Sequence, residues 1–411
     1  MYFLYNLIVQ IAWFLLRIVA VFNSKIKLFV LGRKETFSIL KNTISKKDAI
    51  IWMHVASLGE FEQGLPIIEK LKLQYPSYKI LVTFFSPSGY EVKKNTKTAD
   101  IVTYLPLDTK KNAQEFISLA NPKIALFIKY EIWPNLLREL QEKEIPTVLA
   151  SAIFKKEQIY FKRHGKFMRQ ALSAFTHFFV QDENSKELLK TIHLQNVTIS
   201  GDTRLDRVSE ILDRDNTLAI MDTFLNDEFC IVAGSTWPED EAILIDYINT
   251  SPKGIKYVIA PHTIKSEKIM GLASSILKKA VLFSKIDENT LANQEVLIID
   301  NIGMLTKIYS YASIAYVGGG FATGLHNTLE PAVFGIPVII GPNYKGFKEA
   351  EELVVQKGII PVHDSLSFNQ LMKKLMSSPE LAKKTGKINS TYISKNKGAS
   401  LQIIDFIKGL L

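Results

Sequence analysis

A single cysteine occurs in 411 residues. Cys230 therefore has no partner for an intrachain disulfide and no second thiolate for a zinc site, which fits a reducing compartment. It lies in the apolar run 229–233 and reads as a small buried hydrophobe, not a nucleophile. Histidine is scarce too. His54, His164, His177, His193, His262, His326 and His363 contain no i, i+4 pair, so neither a metal nor another cofactor is expected. The chain lacks a GxGxxG fingerprint and a Walker loop. Low-complexity tracts and short repeats are missing, and 21 glycines with 15 prolines exclude a collagen-like or disordered chain.

Acidic residues are absent from the first 34 positions; Glu35 is the first. Residues 1–22 hold nineteen apolar or aromatic side chains and one charge, Arg17. As a helix this stretch would be about 33 Å long, enough to cross a bilayer core of about 30 Å. It lacks the basic start and small-residue cleavage site of a signal peptide. Lys25, Lys27, Arg33 and Lys34 follow, which marks the next domain as cytoplasmic. Membrane attachment is expected, either as a spanning anchor or as a helix lying in the interface.

Net charge is +9, which suits an anionic partner. One basic stretch, 154–169, carries Lys155, Lys156, Lys162, Arg163, Lys166 and Arg169 against Glu157, with Phe154, Tyr160, Phe161 and Phe167 interleaved. That mixture suits anionic lipid headgroups and also single-stranded nucleic acid.

The rest alternates apolar runs with amphipathic stretches. Six runs (50–55, 79–85, 101–105, 123–129, 146–150, 177–180) precede a polar break near 205–225, and six (228–234, 256–260, 280–283, 295–300, 313–318, 336–341) follow it. Near-continuous apolar runs are strands buried on both faces, hence parallel sheets covered by helices. Two doubly wound α/β domains are expected, 25–206 and 207–395, after an anchor at 1–24 and before a last helix at 396–411. Ligands of such sheets bind beyond the carboxyl ends of the strands, so an inter-domain cleft is expected to hold the site.

Charged and small residues gather at those strand ends. His54 to Glu62 reads strand, small-residue turn, helix, and places Glu60 near a helix N-terminus, where the dipole favours an anion able to take a hydroxyl proton. Lys129, Glu131 and Trp133-Pro134-Asn135 end another strand. Lys129 and Glu131 alternate along an extended chain and so could share one face, as a site or as an ion pair rimming the sheet. Gly201-Asp202-Thr203-Arg204 closes the first domain, and Arg204 could reach a phosphate or carboxylate. In the second domain Ser235-Thr236-Trp237, Pro261-His262 and Ile302-Gly303-Met304 follow strands. The richest stretch is Gly318-Gly319-Gly320 through His326-Asn327-Thr328-Leu329-Glu330, where glycines admit a ligand and a following helix would attract phosphate. The basic loop Gly341 to Lys348 lies beyond.

Taken together these motifs resemble the Kdo transferases of lipopolysaccharide synthesis, over nearly the whole chain. The resemblance rests on the apolar N-terminus, Gly32-Arg33, Ser57-Leu58-Gly59-Glu60, Glu131 to Asn135, the GDTRLD hinge, Gly318-Gly319, Asn327 to Glu330 and Gly341-Pro342. It implies a GT-B fold and an inverting glycosyltransferase that moves Kdo from CMP-Kdo to a lipid A precursor. It implies Glu60 as general base, with Glu131, Lys129 and Arg204 at the catalytic centre. Pro261, His262, Ile302, Gly303, Met304, Gly318, Gly319, His326, Asn327, Thr328, Leu329 and Glu330 would bind the donor. Lys129 stands where family members commonly carry glutamate, and Arg204 where they carry lysine. The expected setting is the cytoplasmic face of the inner membrane, with CMP-Kdo, the lipid A precursor and the lipid surface as partners and no nucleic acid. The alternatives are another GT-B nucleotide-sugar enzyme, such as a UDP-sugar transferase or epimerase, and a non-catalytic membrane-attached binding protein.

Overall fold

The computed structural model describes residues 1–322 and 324–411. Only Thr323 of the glycine-rich stretch lies outside them. The chain forms two compact units: residues 1–207 with 397–411, and residues 208–396.

The first unit holds seven strands: β1 (Ala49–Val55), β2 (Tyr78–Phe84), β3 (Ile101–Tyr104), β4 (Pro122–Ile128), β5 (Thr147–Ala152), β6 (His177–Val180) and β7 (Val197–Ile199). Their order is β3-β2-β1-β4-β5-β6-β7, every pair parallel. Successive side chains of a strand point to opposite faces, and both faces of this sheet are covered. Along β1, Ile50 and Trp52 enter one core while Ile51, Met53 and Val55 enter the other.

The second unit holds β8 (Phe229–Thr236), β9 (Ile255–Pro261), β10 (Ala280–Leu282), β11 (Val296–Ile298), β12 (Ile314–Val317), β13 (Val338–Ile340) and β14 (Ile359–Pro361). The order is β10-β11-β9-β8-β12-β13-β14, again parallel throughout. The twelve apolar runs all fall on strands. The edge strands β7 and β14, three residues each, carry no such run.

Three helices lead to the site: α1 (Tyr2–Val19), α2 (Ser24–Thr43) and α3 (Leu58–Gln74). Helix α1 is long and apolar enough to cross a bilayer, yet it packs along the first unit. Its half-buried positions Tyr2, Tyr5, Asn6, Val9, Trp13 and Leu16 recur at helical spacing. Tyr5 donates its hydroxyl proton to Asp108 at 2.9 Å, and Lys110 N donates to Asn6 Oδ1 at 2.8 Å. Tyr2 meets Phe167 edge-on and stacks under Arg138. Trp13 and Leu16 pack on Ala20, Phe29 and Val30. The opposite face exposes Phe3, Leu7, Ile11, Phe14 and Ile18.

One expectation changes here. The aromatic residues of 154–169 do not face outward with the lysines. Phe154 and Tyr160 belong to the core, Phe161 packs against it, and Phe167 packs on α1. Arg169 donates to the carbonyls of Tyr160 and Lys162. Lys155, Lys156, Lys162, Arg163 and Lys166 remain exposed. Burial has sorted the stretch by polarity. The C-terminal helix Ala399–Lys408 is part of the first unit: Ile403, Ile404 and Ile407 enter its core, and Asp206 accepts from Gly398 N and Ser400 N.

Candidate active site

The strand order reverses between β1 and β4 in the first sheet and between β8 and β12 in the second. At such a reversal the crossover helices leave to opposite faces and open a crevice at the carboxyl ends. The strongest motifs sit at these two places.

At the first, β1 turns through Ala56-Ser57 into α3, and Glu60 is the third residue of that helix. Its Oε2 accepts from Ala56 N at 2.5 Å, so the side chain satisfies a backbone donor at the helix start. Its Oε1 has no hydrogen-bond partner among the described residues. The helix N-terminus does not keep this carboxyl fully ionised. Burial first, then the charge of Glu131, pushes it up to about 7, against the opposing effects of Ala56 N–H and Lys129. A carboxyl poised there is half-deprotonated at neutral pH and fits a general base.

Glu131 follows β4. Its Oε2 takes bonds from His54 Nε2 and Trp133 Nε1, both at 2.9 Å. His54 is held from behind by Thr83, whose Oγ1 is 2.9 Å from Nδ1 and also accepts from Trp52 Nε1. Lys129 is left-handed at φ 65°, which ends the extended alternation before Glu131. Among the described residues it makes no ion pair with Glu131, so the rim ion pair is ruled out. Its ammonium instead lies 5.6 Å from the Tyr130 ring centroid and acts on Glu60 through its charge. Left-handed backbone costs a residue with a side chain about 1–2 kcal/mol and tends to occur at working sites. Arg204 is held by Asp202, Nε at 2.9 Å and Nη2 at 2.7 Å from Oδ2, and Gln63 donates to the other oxygen. Arg204 therefore carries its own counter-ion. Asn135 is structural: its amide N and that of Leu136 donate to Asp108.

At the second reversal Trp237 follows β8. Its ring stacks on His262 with centroids 4.5 Å apart and planes 16° apart, and His262 meets His326 at 4.8 Å. Trp237 Nε1 donates to His326 Nε2 at 3.0 Å. Burial, then the neighbouring His262, lowers the His326 pKa. Beneath lies Asp240, fully buried, accepting from Trp237 N at 2.9 Å, Gly319 N at 2.8 Å and the Tyr316 hydroxyl at 2.7 Å. A side chain at Gly318 would lie 2.4 Å from Ser235 O, and Gly319 has φ 94°, so both glycines are required.

The stretch Asn327-Thr328-Leu329-Glu330 differs from expectation. The helix it begins is one turn, Leu329–Ala332, because the left-handed Gly335 and Pro337 prevent continuation. So short a helix supplies little dipole. Glu330 is instead tied down by Asn327 Nδ2 at 3.0 Å and Thr306 Oγ1 at 2.9 Å, and Thr328 Oγ1 is buried without a partner among the described residues. Ile302 and Gly303 are exposed on the turn after β11, Met304 is half-buried, and Pro261 ends β9 before His262.

The structure thus gathers Glu60, Glu131 and Lys129 in one unit, and His262, His326, Gly318 and Gly319 in the other. His54, Trp133, Trp237 and Asp240 adjoin the motifs. Sequence alone assigned them no role, although indole and imidazole N–H groups at strand-to-helix turns are a usable signal.

A family model described as 3-deoxy-D-manno-octulosonic-acid transferase (kdotransferase) matches residues 32–207. The 3-deoxy-D-manno-octulosonic acid transferase of Haemophilus influenzae is 28% identical over 378 residues, covering 88% of this chain and 87% of that one. The protein of the same description from Aquifex aeolicus is 27% identical over 390 residues, 91% of this chain and 99% of that one. In structure, the UDP-GlcNAc 2-epimerase of Neisseria meningitidis superposes with TM-score 0.63 at 16% identity over 88% of this chain and 100% of that one, a likeness of fold. In both sheets and in the motifs at their carboxyl edges, the chain is similar to Kdo transferases along most of its length.

Proposed function

We propose that this protein is an inverting glycosyltransferase that moves Kdo from CMP-Kdo to a hydroxyl of a lipid A-type acceptor. The observation that carries this reading is the Glu60 carboxyl at the reversal of the first sheet, pushed up to about 7 with one oxygen bound to Ala56 N. Glu60 takes the acceptor's hydroxyl proton as that oxygen attacks the anomeric carbon of Kdo and CMP departs. Attack opposite the leaving group inverts the configuration. Glu131, fixed by His54 and Trp133, keeps Glu60 basic through its charge. Lys129 and Arg204 are the cations beside this centre. The wall of Trp237, His262 and His326 offers flat surfaces for the donor's cytosine and polar edges for its phosphate. Asn327 and Glu330 fit sugar hydroxyls. The step is proposed to run without a metal; among the described residues no three ligating side chains converge.

The setting is proposed to be a membrane surface, the cytoplasmic face of the inner membrane. Helix α1 has one side on the protein and an outer side of exposed Phe3, Leu7, Ile11 and Phe14, which fits a helix lying in the interface. The exposed lysines of 154–166 suit anionic headgroups.

Incubation with CMP-Kdo and a tetra-acylated lipid A precursor, read by mass spectrometry, tests the proposal. Product bearing added Kdo is expected, and roughly 10²–10⁴-fold less of it per unit time with Glu60→Gln. A donor preference for UDP-sugars over cytidine nucleotides would sink it.

A further inference from the structure

The rings of Trp237, His262 and His326 differ in what their nitrogens are free to do. An indole N–H only donates, so the 3.0 Å bond from Trp237 Nε1 requires an unprotonated Nε2 on His326. His326 is therefore the neutral tautomer with its proton on Nδ1. A second proton would set two donors against each other. The surroundings favour the same state: burial, then His262, lower the His326 pKa, against the opposing charge of Asp240. The His326 backbone is bonded as well, N donating to Gly318 O at 3.1 Å.

His262 is free where His326 is held. It is exposed. Neither of its ring nitrogens has a hydrogen-bond partner among the described residues, and its backbone N donates to Thr236 O at 2.9 Å. Its ring lies 4.5 Å from that of Trp237, nearly parallel, and an indole face favours a cation placed over it. The His326 ring, 4.8 Å away, is fixed neutral by its tautomer. The pair is built to carry one proton, on His262.

The charged groups of the neighbouring elements are engaged elsewhere or face solvent. In the helix Pro238–Thr250, Asp240 accepts from Trp237 N, Gly319 N and the Tyr316 hydroxyl, and Glu241 accepts from Thr236 Oγ1 at 3.0 Å. Lys268, in the helix Ser266–Ser275, lines a small cavity with Glu241 and acts on it by charge. Glu239 and Lys265 are exposed. That leaves His262 as the titratable group of this wall with both ring nitrogens unpaired.

We propose that His262 is the proton-bearing contact for the phosphate of the donor nucleotide, with His326 a fixed neutral donor beside it, so that donor binding takes up a proton. An imidazolium gives a phosphate a charge-assisted hydrogen bond, and a neutral imidazole gives a weaker one. Affinity should therefore fall as pH rises through the histidine range. The identity of the nucleotide rests on the Kdo-transfer reading; the proton linkage rests on the rings. A saturating donor keeps the proton in place, so the effect lies in donor affinity and not in the acceptor rate.

The test is calorimetric titration of the full chain in detergent with the methyl ester of CMP. That phosphodiester keeps a single negative charge throughout, so a change in affinity belongs to the protein. The wild type should bind about tenfold more tightly at about pH 5 than at about pH 8. Heats in buffers of different ionisation enthalpy should show proton uptake. His262→Arg should bind equally well at both pH values and His262→Gln weakly at both. His326→Gln should bind more weakly and keep the pH dependence. Long-range proton–nitrogen NMR of the wild type should find the His326 proton on Nδ1 alone. Circular dichroism establishes that each variant is folded. Equal wild-type affinity at the two pH values overturns the proposal. So does proton uptake that survives in folded His262→Gln, or a His326 protonated on both nitrogens in the complex. The methyl ester of UMP separates the two readings. Proton-linked binding of the uridine ester alone would support the role of His262 and remove Kdo transfer, and pH-independent binding of the cytidine ester would do the reverse.

Discussion

The charge of Glu131 bears directly on Glu60: after burial, it is the second cause raising the Glu60 carboxyl to about 7. A base is active when deprotonated, so kcat/KM should rise with pH and level off above about 7. Removing the repulsion with Glu131→Gln should move that limb to lower pH. Lys129→Glu replaces a lowering charge with a raising one and should move it higher. A pH–rate profile in which neither variant shifts the limb would remove Glu60 as the titrating group.

The same carboxyl links stability to pH. Its folded pKa, about 7, lies above the reference value of 4.5, so the native state holds the proton more tightly. That contribution is fully present below pH 4.5 and is lost as pH rises through about 7. The difference corresponds to about 3 kcal/mol. Glu60→Gln should therefore raise Tm at pH 8 and change it little at pH 4, while lowering transfer by roughly 10²–10⁴-fold. Calorimetry at the two pH values, alongside initial rates, checks both halves.

Asp240 organises the second unit's loops from below, one carboxylate serving Trp237 N, Gly319 N and the Tyr316 hydroxyl. Asp240→Asn replaces an acceptor with a donor among donors. We expect a loss of about 1–3 kcal/mol in stability and weaker CMP binding by titration. Unchanged CMP affinity in the variant would separate this aspartate from the donor site.

Helix α1 has two faces with different duties. Phe14→Glu with Ile11→Glu alters only exposed positions, so Tm should hold while sedimentation with anionic vesicles falls. Tyr5→Phe removes the bond to Asp108 and should cost about 1 kcal/mol while vesicle binding persists. Vesicle binding that survives the double glutamate variant would place the membrane contact elsewhere.

The sheets were legible because parallel strands covered on both faces are continuous apolar runs, as Ile50 to Val55 and Phe229 to Ala233 show. Glu60 was legible because a small-residue turn between a strand and a helix exposes a side chain at the carboxyl edge. What escaped depends on contacts between distant segments. His54 and Thr83 meet only once β1 pairs with β2. Asp240 finds Gly319 across 79 residues. The outward reading of Phe154 and Tyr160 failed because composition cannot say which way alternate residues turn around a short helical turn. The helix expected after Asn327 stopped early at residues that were in plain view, Gly335 and Pro337.

The closing helix of the chain is sewn into the first unit by Asp206. The second unit is therefore a guest spliced into its host, entered after residue 207 and left at 397. Ribosomal synthesis cannot finish the host until the guest has emerged, and nonsense mutations anywhere in the guest also strip the host of its final fifteen residues. A truncation meant to isolate the host has to carry that tail on a grafted linker.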